Sequence, residues 1–153
     1  MNDQPLVLDE FLPYRLSVLS NRVSGAIAQA YSRRYGLSIP EWRVIAVLAL
    51  APGVSAAEVA ERTAMDKVAV SRAVRQLLQT GRLTRRTAAG DRRRSILELT
   101  AEGRRIYQRV TPALRRYEAA LLAALSARER RALEGLLRRL EQRAGELSAP
   151  VID

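Results

Sequence analysis

The stretch Thr87–Thr100, TAAGDRRRSILELT, sets a Gly-Asp pair in front of three arginines and a short apolar run that ends in Leu-Thr. Upstream of it, RLTRRT opens with Leu83 and continues with polar and larger residues in rough alternation. Alternation at period two marks strands, and small turn-forming residues mark the bend between them, so two short strands joined by a tip at AAGD are expected.

Everything on either side of this ribbon has helical spacing. Leu12, Leu16, Leu19, Val23 and Ile27 recur at steps of four and three, one stripe of a long helix that Gly36 stops. The segment SIPEWRVIAVLALAPG starts at a possible cap, Ser38, and runs to a break at Pro52-Gly53 as a buried helix. Ser55 and Glu58 stand at capping-box spacing and open a short third helix. MDKVAVSRAVRQLLQTG follows as a fourth, closed by Gly81. Beyond the ribbon, Thr100 can cap a helix with Ile106, Val110 and Leu114 on one side. Ser126 and Glu129 open the last helix, whose stripe of Leu133, Leu136, Leu137, Leu140, Ala144 and Leu147 approaches a heptad seam. The expected fold is therefore mainly α: a winged helix-turn-helix domain with a two-stranded wing, flanked by N- and C-terminal helices. Residues 1–153 form a single domain in this reading, with 38–100 as the winged core and 9–36 and 101–148 as the flanking helices.

Composition limits the function classes. The chain has 153 residues, no cysteine and no histidine. Disulfides, thiolate nucleophiles and the commonest metal ligands and general base are all missing, so no enzyme, no cofactor and no metal site are expected. There is no run of eighteen apolar residues and no basic segment leading into an apolar one at the start. A cytoplasmic protein with no membrane partner is the expectation. The net charge of +10 is uneven. Residues 1–66 carry six basic and seven acidic side chains, residues 67–94 nine against one, and residues 95–153 eleven against eight. Solvated faces usually mix signs, whereas a single-sign block points to a polyanion.

Helical geometry sorts the fourth helix into two sides. Val70, Val74 and Leu77 fall on one, while Val68, Arg72, Arg75 and Gln79 gather on the other. The second side is free to enter a major groove, where arginine reaches guanine in a bidentate manner, and the small Ala69 and Ser71 allow close approach. Ser55 and Lys67, at the starts of the third and fourth helices, complete the expected contact set on the helices. In the wing, Gly90 and Asp91 form the tip, and at least one of Arg92, Arg93 and Arg94 can extend into a minor groove. Arg93 is the expected one, with its neighbours on phosphate; Asp91 would orient an arginine by a charge-assisted hydrogen bond. A phosphate clamp without selectivity is the alternative for the same residues, and a sequence-indifferent architectural nucleic-acid binder is the alternative for the whole chain.

The run LQTGRLTRRTAAGDRRRSILELTAEGRRIY resembles the wing and following helix of the MarR family of bacterial transcription regulators. The matching elements are the glycine after a leucine-rich helix, the Asp-x-Arg of Asp91 and Arg93, and Leu99-Thr100 with Gly103 three residues on. The first two helices and the start of the last resemble that family too, so the likeness covers nearly the whole chain. It implies a homodimer paired through the terminal helices, with recognition helices about one DNA turn apart, roughly 34 Å, on a pseudo-palindromic double-stranded DNA operator. It also implies a repressor relieved by a small-molecule effector bound near the first, second and fifth helices. Tyr14, Arg15, Arg22, Trp42, Arg43 and Tyr107 are the candidates, and guanidinium beside aromatic surface suits an aromatic carboxylate or its thioester. Trp42 and Tyr107 as core residues, and the arginines paired with Glu41 or Glu10, are the alternative at those positions. Family members that sense oxidants through cysteine provide no model here, since the chain has none.

Overall fold

The computed structural model describes residues 5–151, and for Arg92 and Arg94 the backbone without the side chains. A single 3-10 turn at Leu8–Glu10 leads into α1 (Leu12–Tyr35), followed by α2 (Ile39–Leu50), α3 (Ala56–Thr63), α4 (Lys67–Gln79), the strands β1 (Leu83–Ala88) and β2 (Asp91–Leu99), α5 (Ala101–Leu122) and α6 (Ala127–Glu146). The chain divides into two compact units, one up to Leu114 and the other from Arg115 onward.

Sequence-coded caps set the helix boundaries. Gly36 ends α1 in the left-handed region at φ 63°, where a side chain would be strained. Full capping boxes start α2, α3 and α6: Ser38 with Glu41, Ser55 with Glu58, and Ser126 with Glu129. Such caps contribute about 1 kcal/mol each. The α2 box also offsets part of the cost of burying Glu41, since its carboxylate accepts the Ser38 amide at 2.7 Å. Asp66 starts α4, its Oδ1 accepting the amides of Val68 and Ala69. That cap was not foreseen.

The first unit is built around one core. Val44, Ile45 and Leu48 of α2 meet Val59 of α3, Val70, Val74 and Leu77 of α4, and Leu83, Leu97 and Leu99 of the wing root. Ile106 and Val110 of α5 close it, and Tyr31 and Leu37 belong to the same cluster. The apolar residues expected inside α4 are buried, as are Ile106 and Val110 of α5, while Leu114 is partly buried against the same cluster. The leucines of α1 differ: Leu12, Leu16 and Leu19 are exposed, and only from Val23 onward is the stripe partly covered.

The wing is an antiparallel pair with Leu83 opposite Leu99, Arg85 opposite Leu97 and Thr87 opposite Ser95. A bulge between Thr87 and Ala88 shifts the register near the tip, which accounts for the imperfect alternation in the sequence. Gly90 takes φ 84° at the turn. A further pairing was not expected. Leu97 also bridges Val54, donating to its carbonyl at 2.9 Å, while the Gly53 amide donates to the Leu97 carbonyl at 3.0 Å. Pro52-Gly53, read from sequence as a simple break, thus delivers a third strand segment to the ribbon.

The Leu99-Thr100-x-x-Gly103 element has a packing cause. The Thr100 hydroxyl donates to the Gly81 carbonyl at 2.8 Å and accepts the Gly103 amide at 3.1 Å, while the Thr100 amide bonds the Arg82 carbonyl. This presses α5 against the backbone of Arg82, and a Cβ at Gly103 would collide with that carbonyl oxygen. In the second unit, Leu133, Leu136, Leu137 and Leu140 on α6 and Leu147 just after it are all exposed. Exposed Glu134–Arg138 and Arg143–Glu146 pairs lie on the same helix and contribute little individually. Among the described residues no helix is long and apolar enough to cross a membrane.

Gly103→Ala is expected to destabilise the protein by about 1–3 kcal/mol in chemical denaturation, because the clash is with backbone that cannot rotate away. Gly135→Ala, on α6 with nothing within 4 Å of the new methyl, is expected to be neutral or to stabilise by up to about 1 kcal/mol.

Candidate nucleic-acid interface

The surface of α4 opposite the core is a row of side chains available to a groove. Lys67, Val68, Ser71, Arg72, Arg75, Gln76 and Gln79 are exposed, and Ala69 is half-buried. Val68 leaves 56% of its surface in solvent, unusual for a valine on a helix that buries Val70, Val74 and Leu77 completely. An exposed methyl pair among arginines suits contact with a thymine methyl as well as with a base edge.

One groove lies beside this helix and a second between the start of α3 and the wing. Along one side, Ala69, Arg72, Ala73 and Gln76 meet the start of α2 at Ser38, Pro40 and Glu41 around a cleft of about 390 Å³. On the wing side, a cleft of about 500 Å³ is lined by Ser55, Ala56 and Ala57 of the α3 start and by Arg85, Asp91, Arg93, Ser95 and Leu97 of the ribbon. Ser55, Asp91 and Arg93, all expected from sequence, are thus brought together. The Ser55 hydroxyl accepts the Glu58 amide at 3.2 Å, so it holds the helix start. Asp91 Oδ1 accepts the Arg93 backbone amide at 2.9 Å. The brace expected from Asp91 therefore acts on the Arg93 backbone, fixing the strand direction just after the tip. The side chains of Arg92 and Arg94 lie outside the described residues.

Arg85 was missed. Strand register carries it: Arg85 pairs with Leu97, two residues along β2 from Ser95 and four from Arg93, and successive odd positions share a face. The signal was present in the two-residue spacing from the buried Leu83. Its neighbour Arg86 is on the opposite face and donates to Glu98 at 2.6 Å. This hydrogen bond lowers the Glu98 carboxyl pKa and raises that of the guanidinium. Arg82 is also engaged, donating to the Tyr35 carbonyl at the end of α1 at 2.6 Å. Within the block of nine basic residues, Arg82 and Arg86 have partners inside the protein, whereas Lys67, Arg72, Arg75, Arg85 and Arg93 are exposed.

The six effector candidates fall into two clusters. Tyr14, Arg15 and Arg22 line a groove of about 280 Å³ along α1 with Asp9, Val18 and Leu19. Trp42 is buried and stacked between Tyr31, with centroids 5.2 Å apart, and Tyr107, at 5.9 Å. Arg43 donates to Ser24 at 3.4 Å beside the same stack. Burial pushes the Tyr31 phenol pKa up, with Arg43 partly opposing it. Tyr31 was not foreseen as a member, although it lies four residues beyond Ile27 and continues the same helical stripe. Among the described residues no group of three His, Cys, Asp or Glu is placed to hold a metal.

Comparison with known proteins agrees with this geometry. A family model described as MarR family matches residues 35–94, the span from the end of α1 to the wing. The HTH-type transcriptional repressor Rv2887 of Mycobacterium tuberculosis is 31% identical over 140 residues, covering 91% of this chain and 95% of that protein. A MarR/EmrR family transcriptional regulator from Acinetobacter sp. ADP1 superposes with a TM-score of 0.85 at 25% identity, over 93% of this chain and 100% of that one. The structure of Rv2887 in complex with p-aminosalicylic acid superposes at 0.67 with 29% identity, over 86% and 98% of the two chains.

Arg85→Ala is expected to flatten the salt dependence of binding to any duplex DNA by about one unit of log–log slope, whereas Arg86→Ala leaves the slope unchanged. Equal slopes for the two variants would remove Arg85 from the interface.

Proposed function

This chain belongs to the MarR family of DNA-binding winged helix-turn-helix transcription regulators, and we propose that it is a homodimeric repressor, released from a pseudo-palindromic operator by a small aromatic carboxylate or thioester. The observation that carries this reading is the pairing of an exposed Val68–Arg72–Arg75 face on α4 with an arginine-lined cleft on the adjoining wing. One element fits a major groove, and Arg93, with its backbone fixed by Asp91, fits the minor groove beside it. Arg92 and Arg94 complete the wing set on phosphate, and Ser55 and Lys67 add contacts at the helix starts.

Dimerisation is supported by the uncovered leucines. A helix whose leucine seam is exposed on every turn, as on α6, and an exposed run at Leu12, Leu16 and Leu19 on α1 are surfaces that a partner copy covers. Two-fold symmetry then places two α4 helices about one DNA turn apart.

Effector control is supported by the groove at Tyr14, Arg15 and Arg22, where two guanidiniums beside an aromatic ring suit an aromatic carboxylate. Rv2887 has been solved with such a compound bound. The Trp42 stack with Tyr31 and Tyr107, flanked by Arg43, provides the rigid wall between α1, α2 and α5 against which a ligand shifts α1. The ligand can shift the equilibrium only by its differential affinity for the operator-competent and released forms.

Arg93→Ala is expected to weaken operator binding by about ten- to a hundredfold and random duplex by less, while Arg75→Ala weakens both and flattens the salt slope by about one unit. Competition between an operator fragment and random duplex at fixed salt reads both; equal losses for Arg93→Ala would contradict minor-groove readout and favour a sequence-indifferent binder. Titrating the operator complex with p-aminosalicylate and related aromatic acids is expected to release the DNA, and Arg15→Ala with Arg22→Ala to abolish the response at unchanged operator affinity. A compound that binds the protein yet leaves operator affinity unaltered would contradict effector control.

A further inference from the structure

A separate cavity of about 250 Å³ lies between the last turn of α1 and the first half of α5, lined by Arg34, Tyr35, Arg105, Ile106 and Arg109. Its floor is the fully buried Ile106, and the rest of its wall is guanidinium and phenol. Arg34 is stacked over the Tyr35 ring at 5.7 Å from the centroid. Arg105 is bonded to Glu102 at 2.9 Å and 2.6 Å through two nitrogens. Among the described residues, no carboxylate is within ion-pairing reach of Arg34 or Arg109.

The helix dipole explains part of this arrangement. A cation at the C-terminus of α1 is favourable, which accounts for Arg34. It does not account for Arg105 and Arg109, which lie four apart on one face toward the α5 N-terminus. Two like charges at that spacing repel. Three guanidiniums with one carboxylate leave a local excess of two positive charges around a concave space.

We propose that this cavity is a binding site for a compact phosphate dianion, either inorganic phosphate or the head of a small phosphate monoester. Two charges match the local excess, and the phosphate oxygens accept from the forked donors of Arg34 and Arg109. The volume is below the usual range for drug-sized organic ligands, and the site has an arginine-rich rather than an aromatic wall. It is therefore distinct in chemistry from the Tyr14–Arg15–Arg22 groove. Occupancy also reaches the wing. The Tyr35 carbonyl holds the Arg82 guanidinium at 2.6 Å, and the Arg82 carbonyl accepts the Thr100 amide at 3.1 Å. A dianion that fixes the end of α1 to α5 steadies the bond that anchors the root of β1.

The test is isothermal titration of the full chain, without DNA, with inorganic phosphate at pH 8 and constant ionic strength against chloride. Saturable binding of one phosphate per chain is expected, weakened at least about tenfold by Arg109→Ala and by Arg34→Ala, and unchanged by Arg131→Ala on α6. Affinity should also fall at pH 5.5, where the dianion takes up a proton. Circular dichroism verifies that the variants are folded, and Arg109→Gln substitutes if Arg109→Ala is not. Absence of saturable binding in the wild type, or binding that survives both arginine substitutions, would overturn the proposal. So would a lower DNA salt slope in Arg109→Ala without any phosphate binding, which would assign the cluster to the DNA backbone. Because phosphate is titrated without DNA, failure here leaves the repressor reading intact.

Discussion

Leu97 is the residue on which the geometry of this protein turns. Its side chain is 1% exposed in the core, its backbone pairs across the ribbon with Arg85, and both its amide and its carbonyl bond the Gly53–Val54 segment that leads into α3. One residue thus ties the wing, the helix-turn-helix and the hydrophobic core together. A two-stranded ribbon alone is marginal in water, and a mobile wing could not present an arginine at a set distance from a recognition helix. Because Leu97 is locked on all three sides, the orientation of α4 and the direction of the wing are set by the same packing.

That constraint determines what each arginine can do. Strand alternation outward from Leu97 and Leu83 puts Arg85 and Arg93 toward the cleft at the start of α3, while Arg86 falls on the other face and is held by Glu98. Arg82, at the root, holds the end of α1. Adjacent arginines in the chain therefore have different surroundings, Arg85 lining the open cleft and Arg86 paired with Glu98. At the other end of the ribbon, the bulge and the Asp91–Arg93 backbone bond set where the tip points.

The helices were legible in the sequence because their information is local. Ser38, Ser55 and Ser126, each with a glutamate three residues on, and Gly36 and Gly81 place most boundaries, and the spacing of Val70, Val74 and Leu77 gives the buried face of α4. What was not legible depends on contacts distant in sequence. The Val54–Leu97 bridge joins residues 43 positions apart, and Pro52-Gly53 alone reads as a break. The bulge at Thr87–Ala88 hid the alternation that would have put Arg85 on the same face as Arg93. For the effector candidates, residue type suggested one pocket, whereas the fold places Tyr14, Arg15 and Arg22 on a groove and Trp42 in an aromatic stack with Tyr31 and Tyr107. Burial of an aromatic ring follows from which helix crosses it, and that is not a local property.

The central claim is that α4 and the wing form one rigid reader of two adjacent grooves. Methylation interference on a duplex selected for binding tests it in a single measurement, because the reagent blocks guanine N7 in the major groove and adenine N3 in the minor groove. The account predicts, in each half-site, guanine interference under α4 and adenine interference displaced outward by about half a turn, roughly 5 base pairs. Interference confined to the major groove, or the same weak interference at every position, would contradict it.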